Sequence, residues 1–242
     1  MSLVRWVVAA GFAAGAVLSP ADAARAGADA GTMPTSLVFA GADLWRYGDF
    51  LYGGTLWSPD GLDRTGFTLK LLVNGGRYSY DAGSLATTID GTLLSGAVLP
   101  GWRFVREALT VTLYAGAVVQ DYRLAPFDPG SRLHGLYTGA QLAGDVWYQP
   151  TRAIMAAVNG ALSSIGPTGT LRGALGYRVF AAGFVGPEAA MLWCGNFQEF
   201  QLGAHVTGLR MAAAEWSAAA GFAADSDRRS GPYLRLGWSA RY

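Results

Sequence analysis

A single cysteine, Cys194, rules out an internal disulfide framework, and one thiol is a poor start for a metal site. Lysine is almost absent too, with Lys70 standing against 17 arginines, and charged residues make up only 14% of the chain. The formal net charge is +1, so no basic or acidic bias points to nucleic acid as a partner. Nowhere does the chain offer the roughly 20 consecutive apolar residues that a membrane-spanning helix needs. Yet 51% of its residues are hydrophobic and its mean hydropathy is +0.23. The apolar residues must be dispersed, which suits strands. There is also no Gly-rich phosphate loop, no paired zinc motif and no nucleophile elbow, so no cofactor or metal is expected.

What the chain does have begins with a leader. Arg5 supplies a positive charge, Trp6 to Leu18 an apolar stretch too short to span a bilayer, and Ala21-Asp22-Ala23 an A-x-A cleavage site. Residues 1–23 are therefore expected to be a signal peptide cleaved near Ala23. Residues 24–36, mostly Ala, Gly and Thr without apolar periodicity, are expected to be a disordered periplasmic lead-in. The same pattern then runs to residue 242 with no linker, which implies one domain over 37–242.

That pattern is clearest in Tyr233-Leu-Arg-Leu-Gly-Trp-Ser-Ala-Arg-Tyr242. Leu234, Leu236, Trp238, Ala240 and Tyr242 fall on one face of a strand, and Arg235, Ser239 and Arg241 on the other. One face fits hydrocarbon and the other a polar interior. A terminal strand of this kind, closed by an aromatic, is also what the barrel assembly machinery would read. Leu109, Val111, Leu113, Ala115, Ala117 and Val119 repeat the aliphatic face against Thr110, Thr112, Tyr114, Gly116 and Gln120. So do Trp216, Ala218, Ala220 and Phe222 against Glu215, Ser217, Ala219 and Gly221. A soluble lipocalin-like barrel would invert the arrangement.

Turn signals divide the chain into about 12 strands, near 37–46, 49–57, 66–79, 91–105, 108–121, 133–148, 152–164, 170–180, 183–193, 197–209, 213–224 and 232–242. The fold class is thus all-β: a transmembrane antiparallel β-barrel of the Gram-negative outer membrane, with short periplasmic turns and longer extracellular loops. An even count puts both termini in the periplasm and the connections near 80–90, 122–132 and 225–231 outside. Only the turn at 58–65 is long for its side. The partners this implies are outer-membrane lipid and lipopolysaccharide.

On these faces the charged strand residues point inward: Asp43, Lys70, Arg103, Asp145, Arg172, Arg178, Glu188, Glu199, Glu215, Arg235 and Arg241. They form either a polar conduit or a lumen plugged by Arg–carboxylate pairs. His205 and Thr207 lie two apart on the same inward face, the spacing of a base and its hydroxyl in some outer-membrane lipid hydrolases, but they face away from lipid and lack an orienting group. Asp225-Ser-Asp-Arg-Arg229 has carboxylates that could hold a hard cation, yet its arginines favour a solvated, self-paired loop. Aromatics near strand ends, among them Trp45, Tyr47, Phe50, Tyr52, Tyr78, Tyr80, Trp102, Phe104, Trp147, Tyr148, Trp193 and Phe197, read as interfacial girdles.

Several segments resemble the BcsS family of cellulose biosynthesis proteins: Phe39-Ala-Gly-Ala-Asp-Leu-Trp45, Leu56-Trp-Ser-Pro-Asp-Gly-Leu-Asp-Arg64 with Gly66-Phe-Thr-Leu-Lys70, Leu99-Pro-Gly-Trp-Arg-Phe104, Gly186-Pro-Glu188, Gly203-Ala-His-Val-Thr207, and Glu215-Trp-Ser217 with Asp225-Ser-Asp227. The resemblance covers nearly all of 37–242. It implies a non-enzymatic accessory role in cellulose biosynthesis, secretion or surface organisation, with cellulose or cellulose synthase components as partners and no catalytic residues to carry over. The alternatives are a barrel lipid hydrolase and a small nonspecific porin.

Overall fold

Alternation continues around a complete circle. The computed structural model describes residues 33–82, 87–180, 183–195 and 197–242; the expected leader, and the lead-in up to residue 32, lie outside them. Twelve strands follow one another: β1 Ser36–Trp45, β2 Gly48–Trp57, β3 Gly66–Ala82, β4 Thr87–Arg106, β5 Leu109–Ala125, β6 Gly135–Tyr148, β7 Ile154–Ser163, β8 Thr168–Phe180, β9 Gly183–Cys194, β10 Phe197–Met211, β11 Ala214–Asp225 and β12 Ser230–Arg241. Each pairs antiparallel with the next, and β1 closes on β12 from Leu37↔Arg241 to Trp45↔Tyr233. No helix occurs among the described residues.

Two expectations need correction. The lead-in does not run free to residue 36: Ser36 begins β1, and the amides of Thr35 and Ser36 both donate to the Tyr242 carbonyl, at 2.8 and 3.0 Å. The connection expected over 80–90 is largely ladder, with Tyr80↔Ile89, Asp81↔Thr88 and Ala82↔Thr87 in register. Beyond the bilayer no lipid demands an apolar face, so a strand continues there without the alternation that marks it in sequence.

The faces follow the sequence pattern. Leu113, Leu236 and Phe222 are 56%, 44% and 67% exposed on the outside of the barrel, while their neighbours Thr112, Arg235 and Ala223 are buried within. Exposed aromatics gather toward the end that carries the termini: Trp57, Phe67, Trp102, Phe104, Tyr148 and Trp216. That is a girdle at one interface, where amphipathic rings favour the headgroup level.

Six of the other expected girdle residues turn inward. Phe50, Tyr52, Tyr78, Tyr80, Trp147 and Phe197 are buried, and the inner wall of β1–β5 is largely apolar instead of polar. Glycine makes this possible. Across the ladders Phe39 faces Gly54, Phe50 faces Gly76, Tyr52 faces Gly41, Tyr78 faces Gly91 and Tyr114 faces Gly101. A Cβ at any of these glycines would collide with the opposite ring or the adjoining backbone. Large rings thus lie over bare backbone and fill a barrel too wide for aliphatic side chains alone.

Candidate functional site

Chain segments enter the barrel from both ends. At the end bearing the termini, the turn 58–65 folds inward on a short hydrogen-bonded core: Ser58 donates to the carbonyls of Gly61 (3.2 Å) and Phe67 (3.0 Å), and the Leu62 amide donates to Pro34 at 2.9 Å. Gly61, at φ +100°, makes the reversal. Leu62 is thereby fully buried, and its carbonyl accepts from Arg103 Nη1 at 2.6 Å. Asp63, next in the turn, takes Arg241 at 3.1 Å.

At the opposite mouth the connection 126–134 lies across the opening. Asp128 Oδ2 accepts from Tyr80 Oη at 2.8 Å, and Leu133 packs into the cluster that holds Tyr78, Tyr122, Ile165 and Cys194. Cys194 is wholly buried there and unpaired. Asp225 accepts the Asp227 and Arg229 amides and the Arg229 guanidinium, which also donates to Ser79 O and stacks over Tyr47. The segment 225–229 is self-paired as expected, but braced against the wall and not fully solvated; the Asp225 side chain is buried. No metal-binding cluster occurs among the described residues.

Between the mouths the candidate charges form two groups. Arg235 on β12 holds Asp43 on β1 and Glu188 on β9, both at 2.8 Å, and donates to Gln201 on β10 at 2.6 Å. Glu188 also receives Arg172 at 2.6 Å and the Tyr233 hydroxyl at 3.0 Å. Glu199 accepts from Gln201. In the second group Lys70 meets Asp145 at 2.6 Å and sits 4.1 Å above the Tyr114 ring, beside Arg103. Two candidates lie apart: Arg178 donates to the Arg152 carbonyl and covers Phe184, and Glu215 lies near the rim opposite Arg210.

His205 is buried, with Nδ1 3.0 Å from the Thr207 hydroxyl and Nε2 3.1 Å from the Leu175 carbonyl. With Nε2 protonated, Nδ1 accepts from the hydroxyl. The ring is oriented by a backbone carbonyl and has no carboxylate behind it. Thr207, but not His205, lines a cavity of 40 Å³ together with Tyr52, Trp147, Arg172 and Arg235. A second cavity, beside Lys70 and Arg103, measures 20 Å³. One water occupies about 10–15 Å³ by this kind of measure, so these spaces hold a few waters at most. A larger recess of 250 Å³ opens at the rim between Arg210, Glu215, Ser239 and Arg241.

Gln201, Tyr233 and Arg210 belong to this interior and were not singled out from the sequence, and Trp147, expected in a girdle, joins them. Neutral side chains on an inward face look like filler until their partners are placed. Arg210 is displaced by a bulge between Thr207 and Leu209, where Gly208 has φ +83°, which brings Arg210 opposite Glu215. The isolated Gly208 within a strand was the signal for it.

A closed barrel, faced with lipid-compatible side chains and filled by its own turns and ion pairs, defines a transmembrane β-barrel of the outer-membrane class. Solved structures of similar fold include the COG4313 outer membrane channel from Pseudomonas putida F1, at 10% identity and TM-score 0.51, covering 88% of this chain and 97% of that one. LpxR from Salmonella typhimurium aligns at 11% identity and TM-score 0.47 over 86% and 100% of the chains. The translocator domain of the autotransporter NalP from Neisseria meningitidis aligns at 12% and 0.48 over 91% and 92%. At such identities the likeness is one of fold alone. No curated protein matches the chain. The chain belongs to the cellulose biosynthesis protein BcsS family, whose profile matches residues 37–242.

Proposed function

We propose that this protein is a non-enzymatic accessory of cellulose production that works from the outer membrane through its mouths and rim, organising or assisting release of the polymer without conducting it through the lumen. The observation that carries this reading is the filled interior. Leu62 and Arg103 obstruct one mouth, Asp128 and Leu133 cover the other, and the Arg235 network braces the space between. A glucan chain would have to displace all three. The BcsS family membership supplies the link to cellulose. Cellulose itself or components of the synthase are the partners this role requires. Residues 1–23 act as the cleaved leader, so the mature chain starts near Ala24.

A lipid hydrolase is the second reading, favoured by the contact between His205 and Thr207. Both side chains are buried within the barrel, at 2% and 8% exposure, where a lipid ester has no route to them.

The test compares two activities in a deletion strain. Extracellular cellulose is expected to fall or lose its organisation while inner-membrane vesicles polymerise glucan at the wild-type rate. Equal loss of polymerisation would place the action on the synthase, and no change in either would remove the cellulose role. Fractionation of the complemented strain should recover the mature protein in the outer membrane; recovery as soluble periplasmic material would end the barrel reading.

A further inference from the structure

The small cavity beside Lys70 carries an imbalance that the proposed role does not explain. Its polar lining is Lys70, Arg103, Thr110, Thr112, Asp145 and Trp147. Asp145 is committed to Lys70 at 2.6 Å, and Arg241 nearby is matched by Asp63. Arg103, 3% exposed, has a carbonyl on Nη1 but no partner on Nε. Trp147, 2% exposed, has no partner on Nε1. The Tyr114 hydroxyl, close to Lys70, is likewise buried without a partner.

Two cations, Lys70 and Arg103, thus share the single carboxylate of Asp145, and such an excess of buried positive charge is costly, since a desolvated cation is normally paired. Unmet buried N–H groups carry their own penalty. Arg103 and Trp147 both line one 20 Å³ space, enough for one water-sized occupant and too small for phosphate, sulfate or a sugar. We infer that this cavity binds a single monatomic anion, chloride in ordinary media, held by Arg103 Nε and Trp147 Nε1. Because the same guanidinium grips the Leu62 carbonyl, the anion also fixes the inward turn 58–65 that obstructs the mouth. A water could satisfy the two N–H groups but would leave one positive charge of the Lys70, Arg103 and Asp145 group uncompensated.

The test uses the full barrel purified from outer membranes in detergent. Thermal unfolding is followed in sodium chloride, sodium bromide and sodium gluconate at matched ionic strength. Chloride and bromide are expected to raise the midpoint saturably, and gluconate, too large to enter, is not. Trp147→Phe removes one donor and should raise the half-saturating halide concentration about tenfold or more. Arg103→Met should abolish the halide response while keeping much of the side-chain volume. If Arg103→Met does not assemble, the Trp147→Phe titration and a bromide anomalous peak between Arg103 and Trp147 in crystals decide the matter. Identical midpoints in halide and gluconate, or an ordered water with no bromide peak there, would overturn the assignment.

Discussion

Arg235 on β12 reaches Glu188 on β9 at 2.8 Å, across two intervening strands and 47 residues of sequence. The pair is a strut through the lumen. The same guanidinium holds Asp43 on β1, so one side chain ties the closing seam of the barrel to the wall three strands away. Arg172 and the Tyr233 hydroxyl complete the shell around Glu188, which leaves its carboxylate fully paired in a space without bulk water.

Removing that strut should be expensive. Arg235→Met leaves Asp43 without its cation and takes one of two from Glu188, and breaking a buried pair from one side costs about 3–5 kcal/mol. The expected result is a lower urea midpoint for the barrel in detergent. Asp43→Asn combined with Arg235→Met should cost less than the sum of the single changes, because the second substitution removes a charge already stranded. Strict additivity would show that the two side chains do not interact.

The lipid face makes a separate demand. Leu236 is 44% exposed near the middle of β12, and Ser239 lies inward beside the rim recess. Arginine at Leu236 should cost on the order of 2–4 kcal/mol, whereas Ser239→Arg should be nearly silent. The heat-modifiable gel shift of folded barrel in outer-membrane fractions reads both. Normal assembly of Leu236→Arg alongside failure of Ser239→Arg would reverse inside and outside.

The strand count and faces were legible because lipid enforces them: every residue that touches hydrocarbon must be apolar, as in Leu109, Leu113 and Phe222. The interior carries no such uniform rule. Lys70, Asp145, Arg235 and Glu188 were visible as charges, but their pairing depends on which strands face each other across the lumen, and the sequence lists them in another order. Aromatics such as Tyr52 and Tyr78 resembled a girdle because ring chemistry suits both a headgroup layer and a packed core. What separates the two is the glycine across the ladder, Gly41 or Gly91, and that partner is known only once register is fixed.

The contact between His205 and Thr207 should prove structural. His205→Ala and Thr207→Ala are expected to leave cellulose output intact, with a modest loss of stability from an unmet Leu175 carbonyl or imidazole nitrogen. The decisive measurement is hydrolysis of phospholipid and lipid A by purified wild type and variants. Activity in the wild type that disappears in either variant would promote the enzyme reading.

Aromatic rings over glycine give the last test. A Cβ on Gly91 would meet the Tyr78 ring directly across the β3–β4 ladder, whereas at Gly96, on the same strand, the nearest atom is the Leu72 carbonyl oxygen at 4.0 Å. Gly91→Ala should therefore overpack the barrel toward the mouth opposite the termini and cost about 1–3 kcal/mol. Gly96→Ala should be neutral or slightly stabilising, since it restricts only the unfolded chain. Trimming the ring in Gly91→Ala/Tyr78→Leu should recover part of the loss, because the added methyl then occupies space that the ring has vacated. Urea midpoints in detergent measure all three. Equal stability of the two single alanine variants would mean that Tyr78 does not rest on Gly91, and the account of how this barrel fills the half opposite its termini would fail with it.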